Sequence, residues 1–440
     1  MLRLFIIYIA FLTMAIGFSQ EVHEFTLEKA IKRAMETNRD LQIAQLEKDR
    51  AGEKYWEALS TALPQIDGSL SLTHNYLLPF FYLPGADSSL RKITVGFPWQ
   101  YSGALQLQQT LYNFGRVGAA IKIADFYEEA TDNDYITSRD NVIEETYLAY
   151  NLVHLASIKI RVNSFNYEIA TQNYELVQHR FDAGLVSEFE LLQAKVNMEN
   201  LAPDVIESES EYERAINNLK VVLFLPMNEE LVLSDSLFIL PERVAVMKDD
   251  MWKRTDYVAE QWRLQMYGKN RTIEYSYHLP SLDALLQYQY MGANLDLSRN
   301  KSSEGATFNL GVTMSIPIFT GFRTQAKYEQ AVIDYNQADL RLAKMKDTME
   351  MEYENSLLRL EAARKRLVAS GTSRESAMKA LDIARTQKRV GSITELDFQA
   401  SQYAYETSEK NYYSSVFDFN KAYIDLLKST GKLGRLFINN

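Results

Sequence analysis

Two acidic residues stand at the same distance past two glycines. Glu190 lies six residues after Gly184 in Gly184-Leu185-Val186-Ser187-Glu188-Phe189-Glu190, and Asp397 six after Gly391 in Gly391-Ser392-Ile393-Thr394-Glu395-Leu396-Asp397. Lys388 and Arg389 come one turn before the second glycine. Carboxylates gathered at a narrow opening repel each other and attract cations, and a basic pair offsets that repulsion. The chemistry on offer is charge selection and a breakable ion pair, Glu190 with Lys388 or Arg389. The plainer alternative is a set of solvated charges, each pair worth under about 1 kcal/mol. Each glycine suits a positive φ where one helix stops and the next begins. That leaves Leu185, Val186 and Ser187 at one tip, and Ser392, Ile393 and Thr394 at the other, as surface for a protein partner or as a turn and nothing more.

Bond-making chemistry finds no support. There is no cysteine, which excludes disulfides, thiol catalysis and thiolate metal sites. His23, His74, His154, His179 and His278 are scattered without paired-ligand spacing, no glycine-rich phosphate loop follows a strand, and no nucleophile elbow occurs. The 14 methionines could in principle line a route for a soft metal, but Met198 and Met345 fall at helical packing positions. No catalytic residue, metal or cofactor is expected. The net charge of −11 argues against nucleic acid as a partner.

The elements that must carry the two tips occur twice. The tips are separated by 391 − 184 = 207 residues, and so are Leu111-Tyr112-Asn113-Phe114-Gly115-Arg116 and Ile318-Phe319-Thr320-Gly321-Phe322-Arg323, since 323 − 116 = 207. Leu63-Pro64-Gln65-Ile66-Asp67 matches Leu279-Pro280-Ser281-Leu282-Asp283 at 280 − 64 = 216. Repeated landmarks in one register mean an internal duplication. The difference, 216 − 207 = 9 residues, falls in Leu77–Tyr101 of the first copy, which reads as a longer loop rich in Pro, Gly and aromatics. Residues 20–226 form the first repeat, 227–251 a connector and 252–440 the second repeat. Residues 1–19, with Arg3 before an apolar run, read as a signal peptide too short to span a bilayer. Gln20 or Glu21 would follow, so no lipid-bearing cysteine is expected there.

Each repeat opens with helical periodicity, Phe25–Leu63 and Tyr257–Leu279, and changes to period two after its proline. Ile66, Leu70 and Leu72 alternate with polar residues, as do Leu105 and Leu107. Phe308, Leu310, Val312, Met314 and Ile316 alternate with Thr307, Asn309, Gly311, Thr313 and Ser315. Runs of this length suit tilted membrane strands, though a soluble half-buried sheet gives the same alternation. The aromatic segment Pro79–Gly85 suits a barrel rim and tips the balance toward the membrane. Arg116 to Gly184 and Arg323 to Gly391 then read as helices of roughly 100 Å each. The spacing of Ile158, Val162, Phe165 and Ile169, and of Tyr353, Leu357, Leu360, Arg364 and Leu367, implies coiled-coil packing, with Gly371 as a kink. Leu191, Ala194, Met198, Leu201 and Val205 carry the pattern back along the return helix.

These residues resemble the TolC family of outer-membrane efflux and secretion channel proteins. The resemblance runs from about Phe25 to Leu433. It rests on Thr26-Leu27-Glu28-Lys29-Ala30, Leu63-Pro64, the turn Gln109–Arg116, its partner Pro317-Ile318-Phe319-Thr320-Gly321, and the two glycine tips. It implies a mainly α chain of duplicated strand–helix units, with a homotrimer forming a 12-stranded membrane β-barrel on a long α-helical coiled-coil tunnel. The implied function is an outer-membrane exit duct of a tripartite efflux or type I secretion system. Its partners would be a periplasmic adaptor protein, an inner-membrane transporter and outer-membrane lipid. By position Glu190 and Asp397 match acids of the periplasmic constriction. Ser392 and Lys388 stand where some members carry an arginine and a tyrosine of the lock, so the lock here is altered. An exported coiled-coil scaffold with a soluble sheet and no channel is the alternative.

Overall fold

The computed structural model describes residues 23–84, 89–295 and 302–437. The expected leader, 1–19, lies outside the described residues. In chain order the elements are β1 (His23–Phe25), α1 (Leu27–Thr37), α2 (Arg39–Ser60), β2 (Gln65–His74), β3 (Phe80–Pro84), β4 (Leu90–Thr94), β5 (Trp99–Tyr112), α3 (Arg116–Asp182) and α4 (Glu188–Val222). They continue as β6 (Leu231–Leu233), a 3-10 turn Lys248–Lys253, α5 (Thr255–Ser276), β7 (Ser281–Asn294), β8 (Ser302–Ser315), α6 (Arg323–Arg389), α7 (Glu395–Ser429) and α8 (Gly434–Phe437). Side-chain caps set the first boundaries. Thr26 accepts from the Lys29 amide at the start of α1, and Asn38 breaks the helix by accepting from the amides of Asp40 and Leu41.

Two compact units share the chain. The first holds residues up to Gln45, Asn133–Val258 and Met345 onward. Its core contains Ala30, Ile31 and Ala34 of α1, Ile143, Tyr147 and Tyr150 of α3, Leu219 and Leu223 at the end of α4, and Tyr423, Ile424 and Leu427 of α7. The segment between the repeats is stapled to these helices by buried polar groups. β6 pairs in parallel with β1, and the fully buried Asn420 donates to Phe238 O and accepts from Leu240 N. Asp235 accepts from the Leu27 amide at 2.7 Å. Buried amides and carbonyls without strand partners must be satisfied in this way.

Within the same unit α6 packs on a seven-residue repeat. Met349, Ser356 and Ala363 are buried at seven-residue intervals, and Leu360 is buried on a second such series with the half-buried Tyr353 and Leu367. Leu357, expected on this seam, is 43% exposed: it lies one position past Ser356, off the stripe. Gly371 lies inside α6, which continues over 67 residues. A Cβ at Gly371 would stand 3.7 Å from the Tyr412 ring of α7, an ordinary contact, so the packing there does not demand glycine.

The second unit comprises Leu46–Asp132 and Ala259–Lys344. Its helices bury mostly small side chains, among them Ala51, Ala119, Ala124, Ala130, Ala259, Ala331 and Ala338. Its sheet is antiparallel, in the order β2-β5-β7-β8, with strands of 10, 14, 14 and 14 residues. The expected loop Leu77–Tyr101 is instead a second hairpin, β3–β4, pairing Phe80 with Thr94 through Pro84 with Leu90. Val95 N bonding to Pro79 O continues the pairing, and Phe80 packs edge-on against Tyr82 beneath Lys92. Those aromatic pairs and the backbone ladder are what a reading of turn residues misses.

Candidate functional sites at the helical tips and on the sheet

Both tips are built alike. At the first, Leu185 N bonds to Arg180 O and Gly184 N to Phe181 O, each at 2.8 Å, with Gly184 at φ 73°. At the second, Ser392 N bonds to Gln387 O and Gly391 N to Lys388 O, with Gly391 at φ 72°. These paired bonds close the last carbonyls of α3 and α6 and require the left-handed residue that glycine supplies at low cost. Ser187 then caps α4 by accepting from Glu190 N at 3.3 Å, and Thr394 caps α7 by accepting from Asp397 N at 3.1 Å. The caps and the acids belong to one motif: Ser187 Oγ also donates to Glu190 Oε1, and Thr394 Oγ1 to Asp397 Oδ2 at 2.6 Å. A carboxylate in the first turn is further favoured by the helix dipole.

The basic pair goes elsewhere within the chain. Lys388 Nζ meets Glu395 Oε1 at 3.0 Å and lies 4.1 Å over the Phe398 ring, while Arg389 donates to Thr386 Oγ1. Glu190 therefore meets Ser187, not Lys388 or Arg389, inside one protomer. The apolar surface also differs from expectation. Leu185 is 75% exposed as expected, but Val186 and Ile393 are half-buried, and Phe189, Val390 and Leu396 are 73%, 74% and 61% exposed. Phe189 and Leu396 are repeat equivalents, since 396 − 189 = 207. Their signal was present in the sequence: Leu185, Phe189, Leu192 and Val196 follow four-three-four spacing, and all four are exposed.

The sheet has two chemically distinct faces. Cross-strand register lines up Ile66, Leu107, Leu286 and Leu310 in one row, and Leu105, Tyr288 and Phe308 in the next row on that face. The intervening rows run Asp67, Gln106, Gln287 and Asn309, then Ser69, Ala104, Gln289 and Thr307. On the apolar face Leu70, Phe308, Leu310, Val312 and Met314 are 59% exposed or more. The four strands contain no lysine or arginine. Near their far end Tyr101 lies over Gly292, where an added Cβ would come within 2.3 Å of the ring, and Tyr101 and Tyr290 both donate to Glu304. A sheet with one apolar face in solvent is unstable in water and stable in a bilayer. Among the described residues no helix is long and apolar enough to cross a membrane, and no group of acids and histidines could hold a metal.

The family model for outer membrane efflux proteins matches residues 30–223 and 253–432, which include both tips and all four strands. This chain belongs to the outer membrane efflux protein family. The efflux protein is 22% identical over 432 residues to the outer membrane protein TolC of Vibrio cholerae serotype O1, covering 96% of this chain and 94% of that one. It is 21% identical to the outer membrane efflux protein BepC of Brucella suis biovar 1, covering 93% and 86%. In fold it is similar to the Campylobacter jejuni CmeC outer membrane channel, with a TM-score of 0.78 at 20% identity, covering 92% and 85%. The open state of the Neisseria gonorrhoeae MtrE outer membrane channel matches with a TM-score of 0.72 at 17% identity, covering 92% and 88%. The efflux protein is an outer-membrane channel, and its family is one of channels rather than enzymes.

Proposed function

We propose that three copies of this efflux protein form the exit duct of a tripartite pump, with the tips of Gly184 and Gly391 meeting a periplasmic adaptor of an inner-membrane transporter. The observation that carries this reading is the sheet. Its outer strands β2 and β8 have free edges among the described residues, and its apolar face lies bare. Edges left unpaired in a bilayer cost several kcal/mol per unsatisfied group, so closure is obligatory. Three sheets of four strands joined β2 to β8 make twelve, with Gln, Ser, Thr and Asn toward an aqueous lumen. Transport energy comes from the partner pump. In the same reading Glu190 and Asp397 ring the periplasmic mouth, and Lys388 and Arg389 of one protomer offset the acids of the next.

The adaptor contact is placed on Phe189, Leu396, Leu185 and Val390, beside the earlier-named Val186, Ser187, Ser392, Ile393 and Thr394. Phe189→Asp combined with Leu396→Asp is expected to abolish drug or toxic-ion resistance in a strain lacking its own duct, while heat-modifiable trimers still form in the outer membrane. Resistance unchanged at normal trimer level places docking elsewhere. A water-soluble monomer overturns the duct itself.

A further inference from the structure

The sheet of the second unit ends on two strands, β2 and β8, whose outer edges carry no partner among the described residues. Their apolar side chains are uncovered as well. Leu70 and Leu72 are 93% and 63% exposed, and Val312 and Met314 61% and 59%. Backbone groups along such an edge bond to another strand or to water, and a bilayer offers no water to take them. If these strands lie in the membrane, which rests on the function proposed above, β8 of one copy pairs with β2 of the next. That junction could form in several registers, each a different set of residue pairs.

The internal duplication selects one of them. Gln65 pairs with Gln108 in the first hairpin, and Ser281 with Ser315 in the second. These are the same pair twice, because 281 − 65 = 216 and 315 − 108 = 207, the two offsets at which the sequence repeats. β7 is therefore the counterpart of β2, and β8 the counterpart of β5. Between the hairpins β5 pairs with β7, which sets Leu105 opposite Tyr288, Gln106 opposite Gln287 and Leu107 opposite Leu286. A junction of β8 with the next copy's β2 joins the same two counterparts. The equivalent of Leu105 is Val312, since 312 − 105 = 207, and the equivalent of Tyr288 is Leu72, since 288 − 72 = 216. The neighbouring pairs become Thr313 with Ser71 and Met314 with Leu70.

We infer that the copies join in this register, with Val312, Thr313 and Met314 of one opposite Leu72, Ser71 and Leu70 of the next. One strand junction then recurs around the barrel, three times within copies and three times between them. The side chains agree with it. Valine and methionine meet leucine on the apolar face, and threonine meets serine on the polar face. A slip of one residue would set Thr313 beside Leu72 and Met314 beside Ser71, mixing the two faces. A slip of two residues keeps the faces, and the duplication alone excludes it.

Disulfide cross-linking tests the register, and the chain has no cysteine of its own to interfere. Ser71→Cys with Thr313→Cys is compared with two registers shifted by two residues, Ser69→Cys with Thr313→Cys and Thr73→Cys with Thr313→Cys. Leu72→Cys with Val312→Cys tests the inferred register at an adjacent pair, which has the other hydrogen-bonding geometry. Within one chain β5 and β7 separate β2 from β8 by roughly 14 Å, so a disulfide can form only between copies. Outer membranes carrying each variant are oxidised, boiled and run without reductant. The Ser71 and Thr313 variant is expected to give covalent trimers roughly tenfold faster than either shifted variant. Directly opposite Cβ atoms stand about 4.5–5.5 Å apart and diagonal ones about 7–8 Å, beyond the reach of a disulfide. Faster linking in a shifted variant overturns the register. Linking in none of the four, while unboiled trimers persist, overturns the junction of β8 with β2. Failure of the duct reading shows separately, as protein that leaves the membrane without detergent and forms no trimer.

Discussion

Two charged pairs away from the sheet decide stability in opposite ways. Lys432 and Asp250 are both nearly buried, with Nζ 2.5 Å from Oδ2, and Lys432 also donates to Ala245 O at 2.6 Å. The Lys432 hydrogen bond holds the Asp250 carboxyl below its usual range against the opposing effect of burial, with the Met247 amide assisting. An acid whose folded pKa is depressed stabilises the fold above its unfolded pKa, and that contribution is lost as pH falls through the folded value. Lys432→Met is expected to destabilise by about 1–3 kcal/mol, since Asp250 loses its closest partner but keeps Lys253 at 3.5 Å and the Met247 amide. Chemical denaturation should show Lys432→Met with Asp250→Asn recovering most of that loss; no loss in the single variant would mean that Asp250 finds water. Glu406 is the reverse case. Burial pushes its carboxyl up, Arg161 at 3.6 Å opposes and Glu409 adds to the rise. A raised acid pKa penalises the folded state above that value, and the penalty disappears below the unfolded pKa. Glu406→Gln should therefore melt higher than the parent at about pH 7 and converge with it below about pH 4. Glu409 remains to hold Arg161 at 3.3 Å. A lower melting temperature at pH 7 would show that the Arg161 pair outweighs the cost of burial.

Among the elements, the strands make the sharpest demand on sequence, because a shift of one residue exchanges their faces. Val312 and Thr313 are neighbours in β8. Val312 pairs with Ala284 on the apolar face, and Thr313 with Asp283 on the other. Val312→Arg is expected to cost about 2–4 kcal/mol near the bilayer midplane, and Thr313→Arg close to nothing. Trimer yield in isolated outer membranes reads the difference, and equal yields would argue against a lipid-facing Val312. Much of this was legible. Alternation placed β2, β5, β7 and β8, because one face is apolar along most of its length. The hairpin β3–β4 was not, because Phe80, Phe81, Tyr82 and Leu83 are apolar on both faces and carry no period. The α6 seam was legible only as to its repeat length: Leu357 and Ser356 exchange places between the expected and the observed stripe, since serine carries no hydrophobic signal yet packs well where helices approach closely.

At the scale of the assembled molecule, the proposed role of the tip charges is charge selection. In the proposed trimer three copies each of Glu190 and Asp397 would stand about one axis; within each protomer their caps, Ser187 and Thr394, donate to both carboxylates. In planar bilayers Asp397→Asn is expected to lower the preference of purified trimers for cations, and Glu190→Gln or Lys388→Met to raise conductance by loosening the mouth. Lys388→Met also removes the Glu395 contact at 3.0 Å, so Glu395→Gln serves as its control. Parent-like conductance and selectivity in all of these variants would remove the gate from these positions.

The order of the long helices and the four sheet strands, the duplication and the glycine turns at the tips follow from the sequence alone. Proline, glycine and the alternation of apolar residues act over a few positions, so their signals survive without neighbours. The partners chosen by the tip side chains do not. Glu190 turned to its own cap, and Lys388 to Glu395 and Phe398, because local hydrogen bonds cost less chain entropy than the distant pair that charge complementarity suggested. Tertiary structure also decided which apolar residues remain uncovered: Val186 and Ile393 fold inward where each turn closes, and Phe189 and Leu396 are left outside.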